Sequence, residues 1–519
     1  MNNQVYKRRW WTLSVLVIGL LVIGFDTTIL TVALPVLTKE LGASTTDLQW
    51  IMNIYILFLA AFLLSAGSMG DKYGRKKLLL IGLILFGLTS VMAGMSNSTE
   101  MLITARGLMG IAAAIMLPLT MSIVPTIFPT NERAKAISIW AAGMGVGLLI
   151  GPLIGGFLLE NYRWESIFFV NLPIIIVTFI GVILLVPESK DNNASKLDWL
   201  GMILSGFGLM LIVYGITEGS EKGWFNLEIL VTLTIGVCLL ILFITYERKT
   251  NHPMLNITIF KNRRFTWSTV VGCVVMFVLS GLLFFITQYM EFFFNLTPLE
   301  TGVKLMPLIG AYVVGAVLSD EIANKIGTKW IIILGLFILT IGLYLMSILN
   351  SDSTYSHLVV CFVVQGFGMG LILAPAMDAV MESLSLEEVG IGSAVNNALR
   401  QVGGTLGIAL LGSVISYNYE QTLAHSLKQV PDSFLNLAQQ SIGAAKQIAE
   451  KLEVPMKEQL LLKAGEAFLE GMHIALIISI GFVCAAILVT ILFLPSFSNN
   501  KSPQKGEMDF KNEDIRLHK

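Results

Sequence analysis

The sequence predicts an all-α integral membrane protein, and three observations lead to that fold class. Hydrophobic residues make up 55% of the 519 residues, and charged residues make up 13%, whereas soluble domains carry about 25% charged residues. The mean hydropathy is +0.76. The apolar residues are grouped in runs of roughly 20, the length that a helix needs to cross the hydrocarbon core of a bilayer.

Fourteen such runs are candidate membrane spans. They cover residues 10–34, 48–69, 77–95, 101–124, 136–158, 167–186, 199–217, 225–246, 266–289, 302–322, 330–349, 356–380, 391–416 and 472–495. Glycine or polar residues interrupt several runs, most of all the thirteenth, so twelve and thirteen spans are alternative counts. The first run follows a basic segment, as in a signal peptide, but it is too long for one and lacks a small-residue cleavage site. We therefore expect it to remain in the protein.

Lysine and arginine set the expected orientation. They cluster in every second connection, at residues 7–9, 72–77, 133–135, 248–264 and 325–329, and are scattered elsewhere. The positive-inside rule places these connections and both termini in the cytoplasm, which requires an even number of spans.

Two polar segments lie outside the predicted spans. Residues 417–470 form the longest connection, expected on the extracellular side, and 439–469 mix apolar residues with Lys and Glu at helical spacing. That pattern is typical of a helix lying on the membrane surface, and a solvated, loosely packed loop fits it equally well. The tail, 496–519, is rich in Lys, Asn and Asp, and we expect it to be disordered and cytoplasmic.

Composition argues against several function classes. A net charge of −1 gives no basic surface for nucleic acid. No GxxxxGK[ST] loop is present, so ATP is not the direct energy source. The five histidines are dispersed and without a nucleophile or metal-ligand constellation, so we expect no enzyme activity, no metal site and no cofactor. The cysteines lie in apolar runs without CxxC spacing and are interpreted as core thiols: Cys238, Cys273, Cys361 and Cys484.

The most informative motif lies in the fifth run, where residues 143–156 carry a glycine at every fourth position. Such glycines line one narrow face of a helix and allow a neighbouring helix to approach closely. Glycine beside proline is poor helix chemistry in water but is tolerated within a membrane. One interpretation is a helix-packing face, and the other is a transporter motif. The motif residues are Gly147, Gly151, Pro152, Gly155 and Gly156.

The connection between the second and third spans is also distinctive. A basic inside loop accounts for its Lys and Arg but not for its spaced glycines or its aspartate. Gly70 and Gly74 permit close approach or positive φ, and Asp71 can face a helix N-terminus and the cations. The residues of interest are Gly67, Gly70, Asp71, Gly74 and Arg75.

Two charged residues inside the predicted spans matter most. Asp26 is two-thirds along the first span, and Arg106 is within the fourth. An intramembrane charge is expensive and indicates function by default. A carboxylate withdrawn from water takes up a proton readily and can also attract a cation, so Asp26 is a candidate for both roles. The alternatives are a structural hydrogen bond for Asp26 and an Arg106 side chain that extends to the outer interface.

These motifs, in this order, resemble the major facilitator superfamily, and specifically its fourteen-span drug:proton antiporters, which include quaternary-ammonium efflux proteins. Weaker similarities lie at Arg163–Pro173, at Pro253-Met-Leu followed by Phe260, and at Arg400-Gln401-Val-Gly403-Gly404. The resemblance implies a six-helix bundle over 1–190, two linking spans over 191–250 and a second six-helix bundle over 251–495, with alternating access by rocking.

The resemblance also implies residue roles. The loop at Asp71 and Arg75 latches the bundles on the cytoplasmic side, Arg106 takes part in proton coupling, and the glycine-proline motif marks an exporter whose bundles press together there. In the second half the thirteenth span carries Asn396, Asn397, Arg400 and Gln401 where some members have acidic residues. This argues against divalent cations as substrates.

Candidate walls of a substrate cavity are aromatic and amide residues, which bind flat lipophilic cations by stacking and cation–π contact. Glu291, at the outer end of the ninth span, is a vestibule residue or a substrate ligand. The complete set of substrate-binding candidates is Asp26, Trp50, Asn53, Tyr55, Phe284, Gln288, Glu291, Gln365, Asn396 and Asn397.

The sequence therefore predicts a proton-coupled exporter of lipophilic, often cationic, drugs in the plasma membrane of a bacterium. An alternative is export of an endogenous lipid, glycolipid, siderophore or peptide. We expect small-molecule substrates, protons and membrane lipids as partners, and a monomer. A receptor or sensor is disfavoured because the C-terminal tail is too short and polar to form a signalling domain.

Overall fold

A computed structural model of the chain describes residues 3–190, 198–250, 253, 257–384, 389–426, 434 and 437–495. Within these ranges the chain is helical, which confirms the predicted class. The helices are α1 Asn3–Ile29, α2 Leu34–Leu41, α3 Thr45–Tyr73, α4 Arg75–Gly94, α5 Thr99–Ile127, α6 Thr130–Asn161, α7 Ser166–Phe169, α8 Asn171–Leu185, α9 Trp199–Lys222, α10 Leu227–Glu247, α11 Arg263–Phe293, α12 Pro298–Lys304, α13 Met306–Ile326, α14 Thr328–Ser347, α15 Tyr355–Glu382, α16 Val389–Ser426, α17 Ile442–Ala449 and α18 Val454–Phe493.

Helices occupy every predicted span. Within the described part of the chain, thirteen segments are long and apolar enough to cross a membrane, and the 32-residue α6 lies at the fifth predicted span. The protein is therefore a multi-pass membrane protein. The predicted tail, 496–519, lies outside the described residues. The C-terminal ends of α1, α4 and α6 lie on the predicted outer side of the molecule.

Sequence signals set several helix boundaries. Ser44 and Asp47 form a reciprocal capping box at the start of α3, and Thr297 and Glu300 form another at the start of α12. On the opposite side, Gly74 alone separates α3 from α4 with φ +112°, a conformation that favours glycine. Gly327, at φ +89°, separates α13 from α14 in the same way. The two halves of the chain thus share this sharp turn.

The helices pack as two groups. In the first, α1 contacts α5, α6 and α8, and α5 also contacts α3 and α4. In the second, α11 contacts α15, α16 and α18, and α15 also packs against α13 and α14. The predicted linking helices pair with each other, and α9 lies between α3 of the first group and α16 of the second. The domain boundaries at 190 and 250 remain predictions.

The two groups meet near the predicted outer side, where α6 contacts α12 and α3 contacts α16. The connection predicted over 417–470 is largely helical there, because α16 continues to Ser426 and α18 begins at Val454. Between them α17 buries Ile442, Ala445 and Ile448 and packs against α2, α11 and α18. A solvated loop is therefore wrong for this part, since the apolar residues of α17 face protein.

Candidate functional site

Asp26 and Arg106, the two intramembrane charges identified from the sequence, form a buried ion pair. Asp26 on α1 and Arg106 on α5 are 0% and 1% exposed, and Arg106 Nη1 lies 2.5 Å from Asp26 Oδ2. Their positions are eighty residues apart in sequence, and α1 and α5 pack directly against each other. Arg106 therefore does not extend to the outer interface, and each charge supplies the counter-charge of the other.

Neighbouring helices complete this ion-pair site. Asn171 on α8 donates from Nδ2 to Ser90 Oγ at 2.8 Å and to Asp26 Oδ1 at 3.4 Å. Arg106 Nε donates to the Ile51 carbonyl oxygen at 3.3 Å, and its guanidinium carbon lies 4.1 Å from the centre of the Tyr55 ring. Ser90 and Asn171 were missed by the site prediction, although Asn171 lies within the family-like stretch 163–173.

This arrangement narrows the role of Asp26. Both carboxylate oxygens have donors, and the side chain is fully buried. Asp26 consequently presents no free face to a substrate in this conformation, so the predicted role as a direct substrate ligand is not supported here. A role for Asp26 in proton coupling stays a prediction.

The glycine motif packs mainly on α1 of the same bundle. A Cβ atom on Gly147 would lie 2.8 Å from the Leu21 carbonyl oxygen, and one on Gly151 would lie 2.8 Å from that of Phe25 and also meet Thr28. Gly155 faces Ile29 in the same manner. The glycine face therefore brings α6 against the segment of α1 that carries Asp26.

The other edge of the motif meets the second bundle. A Cβ atom on Gly156 would lie 2.7 Å from the Pro298 carbonyl oxygen and would also meet Leu299. A Cβ atom on Gly302 of α12 would lie closer still to the Pro152 carbonyl oxygen. The prediction that the whole glycine face presses the bundles together is corrected, because four-residue periodicity indicates close packing but does not identify the partner.

The loop at residues 67–77 is held within its own bundle. Gly70 leaves room for the Leu119 side chain, and Gly74 leaves room for the Glu188 carboxylate. Glu188 accepts 3.1 Å hydrogen bonds from the backbone N–H groups of Lys76 and Lys77, at the start of α4. Arg75 donates its backbone N–H to the Ser189 carbonyl oxygen at 2.9 Å. Glu188 was missed by the sequence analysis.

The latch role of this loop remains a prediction. Gly67 lies near Pro118 of α5, again in the first bundle, and the side chain of Asp71 is outside the described part of the structure. Glu188 explains why glycine stands at position 74.

Two predicted cavity-wall residues face other helices. Trp50 donates from its indole nitrogen to Glu218 Oε1 of α9 at 2.9 Å. Gln365 of α15 donates to the Gly342 carbonyl oxygen of α14 at 3.0 Å. Polar groups in a membrane helix find partners on adjacent helices in this way, and contact of Trp50 and Gln365 with substrate stays a prediction.

Three further candidates are enclosed. Tyr55 packs on Arg106, and Asn53 and Phe284 are 0% and 1% exposed. Both side-chain polar atoms of Asn53 are without a hydrogen-bond partner among the described residues. These residues therefore lie in the protein interior near the bundle cores, and a role in binding substrate stays a prediction.

Gln288 and Glu291 line a cavity of about 220 Å³ at the predicted outer side, together with residues of α2 and α17. Glu291 Oε1 is buried and has no hydrogen-bond partner among the described residues. Lys446 donates to the Glu291 carbonyl oxygen at 3.1 Å and to Asn295 Oδ1 at 2.7 Å. Burial lowers the pKa of Lys446, and Glu291 opposes that shift. This placement fits the vestibule alternative for Glu291.

In the second bundle, Asn396 lines a small cavity with Arg400 and donates to the Met377 sulfur at 3.3 Å. Asn397, the next residue, is half-buried. The sequence analysis named Arg400 in a weaker family similarity and as a departure from acidic residues at this span, and it assigned Arg400 no role.

Comparison with known proteins decides the family. The sequence model of the Major Facilitator Superfamily matches residues 16–408. The chain belongs to the Major Facilitator Superfamily. Within it, the chain is 32% identical over 472 residues to the multidrug resistance protein Stp of Mycobacterium tuberculosis (89% of this chain, 88% of Stp). It is 30% identical over 486 residues to the multidrug efflux pump LfrA of Mycolicibacterium smegmatis (93% of this chain, 96% of LfrA).

A solved transporter structure shares the fold. A bacterial homologue of the human lysosomal transporter Spinster, in an inward-facing and unoccupied conformation, aligns with a TM-score of 0.68 at 17% identity. The alignment covers 95% of this chain and 99% of that structure. A similarity at this level of identity supports the architecture and leaves the cargo open.

Proposed function

We propose that this superfamily member is a multidrug exporter that moves lipophilic compounds out of the cell in exchange for protons. The observation that carries the proposal is the buried Asp26–Arg106 ion pair between α1 and α5. The names of its relatives, a multidrug resistance protein and a multidrug efflux pump, support the drug-export part.

The chemistry of the ion pair suggests how a proton is coupled to movement. A proton that binds Asp26 forms an O–H bond and removes the negative charge, which leaves Arg106 buried without a counter-charge. That state costs several kcal/mol, so protonation favours a rearrangement in which Arg106 finds another acceptor or water. Loss of the proton restores the pair. The protonated and deprotonated states of this site thereby favour different positions of α1 and α5, the helices that carry it.

The glycine motif connects the site to the contact between the bundles. Gly151 packs on α1 beside Asp26, while Pro152 and Gly156 on the adjacent edge meet α12 of the second bundle. A shift of α1 is therefore transmitted through α6 to the contact that closes the predicted outer side. We propose that this contact opens for release, with both termini in the cytoplasm of a bacterial plasma-membrane protein that acts as a monomer.

The alternative cargo, an endogenous lipid, glycolipid, siderophore or peptide, has less support. Its sequence argument was a membrane-lying segment within 417–470. In the structure α17 packs against α2 and α11, and its apolar residues are buried against protein.

Dye transport in proteoliposomes tests the proposal. We expect wild-type protein to move ethidium or rhodamine 6G only when a proton gradient is imposed, and Asp26→Asn to reduce the rate at least 100-fold. Asp352→Asn, at an exposed aspartate, is the matched control and should transport at the wild-type rate. Gradient-independent transport by wild-type protein, or wild-type rates for Asp26→Asn, would contradict the proposed coupling.

A further inference from the structure

Arg400 on α16 is the second intramembrane arginine of interest, and it lies partly buried within the second bundle. Gly403 and Gly407 let the α16 backbone touch Cys273 and Phe277 of α11. The Arg400 stem lies over Gly272, where a Cβ atom would be 3.4 Å from its Cγ and Cδ. Small residues on both helices thus make the space that Arg400 occupies.

The guanidinium has no counter-charge among the described residues. Its Nη2 lies 3.8 Å from the Met276 sulfur, a weak acceptor, and its Nε is buried without a hydrogen-bond partner. Tyr312 and Cys273, the other titratable groups that face it, are neutral at pH 7 in their ordinary forms. A positive charge held this way within a membrane bundle is costly until an anion joins it.

The space beside Arg400 contains further donors. A cavity of about 10 Å³ is lined by Ser268, Gly272, Leu373, Ala376, Met377, Asn396 and Arg400. The Ser268 hydroxyl is buried and unpartnered within the described part of the chain. This volume admits one water-sized atom, so a halide or one carboxylate oxygen fits, while a larger group would extend outward from it.

We propose that Arg400, Ser268 and Asn396 form a binding site for a small monovalent anionic group. The acidic group of a zwitterionic or acidic amphiphile would be its ligand during export, and a free halide presents the same chemistry. This inference deepens the proposed function and rests on it for the substrate. It predicts that the cargo range extends beyond simple cations to compounds that carry a carboxylate.

The location of the site fits uptake from the cytoplasm. Arg400 lies eleven residues from the start of α16 at Val389, about 16 Å along the helix axis, and that end is the predicted inner side. The bundles meet near the opposite side, through α6 and α12. A compound that enters from the predicted inner side would therefore encounter the uncompensated arginine before it reaches the outer contact.

A matched pair of dyes tests the site. Rhodamine B and its ethyl ester differ only in a free carboxylate. We expect Arg400→Gln to raise the Kd of rhodamine B at least tenfold in fluorescence anisotropy with purified protein, and to leave the Kd of the ester within twofold. The same pattern should appear in the KM values for transport. Arg400→Lys should recover most of the rhodamine B affinity, and Arg163→Gln, at an exposed arginine, should change neither dye.

The outcomes separate the inference from the proposed function and the two anion sources from each other. Arg400-dependent binding of rhodamine B without transport would keep the site and contradict the exporter. Equal effects of Arg400→Gln on the Kd values of both dyes would overturn the site, with one exception. If replacing chloride by gluconate weakens ester binding in wild-type protein but not in Arg400→Gln, the ligand of the site is a halide. If Arg400→Gln aggregates on size exclusion, Ser268→Ala and Asn396→Leu serve as the test, each with at least a threefold selective loss for rhodamine B.

Discussion

Arg106 and Arg400 lie in membrane helices of opposite bundles, and they differ in what balances their charge. Arg106 is 1% exposed and pairs with Asp26, with Ile51 and the Tyr55 ring as further contacts. Arg400 faces a methionine sulfur and a small cavity. The first bundle supplies its own anion, while the second leaves a cation for a ligand to balance.

The packing around the two sites is otherwise alike. On the first side Gly147 and Gly151 of α6 lie on α1, and on the second side Gly403 and Gly407 of α16 lie on α11. Each glycine face sets a helix against the one that opens its bundle. The comparison teaches that the same glycine packing surrounds two different charge arrangements, one a buried ion pair and the other an arginine beside a small cavity.

The largest expected effect follows from removing the counter-charge of Arg106. Asp26→Asn should lower the free energy of unfolding by about 3–5 kcal/mol, because it leaves a buried arginine unpaired. Unfolding in mixed micelles followed by circular dichroism measures this change, with Asp352→Asn as the control. A loss below about 1 kcal/mol would contradict the comparison, because it would mean that groups other than Asp26 balance the charge of Arg106.

A double-mutant cycle sharpens the same point. Arg106→Gln alone should be nearly as destabilising as Asp26→Asn, because it leaves a buried carboxylate. The double variant should recover about 2–3 kcal/mol relative to the sum of the two single changes, as expected for a buried pair in direct contact. Additive single changes would indicate that the two charges do not interact in the folded protein.

The glycine face gives a smaller, local effect. Gly151→Leu should destabilise the protein by about 1–3 kcal/mol through overpacking against Thr28 and the Phe25 backbone, and it should reduce transport because it displaces α1 beside Asp26. Gly481→Leu, where a Cβ atom meets nothing within 4 Å, is the control. Equal thermal shifts for the two variants would refute the packing argument.

The smallest stability effect is expected at Arg400. Removal of a charge that has no counter-charge among the described residues relieves its desolvation cost, so Arg400→Gln should leave the free energy of unfolding within about 0.5 kcal/mol of wild type or raise it. The same micelle unfolding assay compares it with Arg106→Gln. A loss of about 3 kcal/mol or more at Arg400 would show that a protein group balances its charge and would remove the contrast between the bundles.

Asp26 and Arg106 could be identified from the sequence as candidate functional residues, because a charge within an apolar run is conspicuous. It could not show that they pair, since they lie on separate spans eighty positions apart. Glycine periodicity likewise predicted a close helix contact at residues 147–156 but not that α1 is the main partner. Trp50 and Gln365 were placed on the substrate side because amphipathic residues suit a cavity, yet the indole N–H of Trp50 and the side-chain N–H of Gln365 donate to neighbouring helices.

Glu188 and Asn171 show a second limit. Each side chain forms hydrogen bonds to a distant part of the chain, Glu188 at Lys76 and Asn171 at Ser90. Neither residue lies in a charge pattern or at a spacing that predicts these hydrogen bonds. Helix order and connection lengths were predictable from hydropathy, because the membrane allows few alternatives to a spanning helix.

The most direct test of the account is proton release on substrate binding. Purified protein in weakly buffered detergent solution, with a pH-indicator dye, should release protons when a cationic dye binds at a pH low enough to protonate Asp26, and Asp26→Asn should bind the dye with no release. Release that is unchanged in Asp26→Asn, or the absence of any release from wild-type protein across pH 5 to 8, would contradict the role of the Asp26–Arg106 pair as the coupling site.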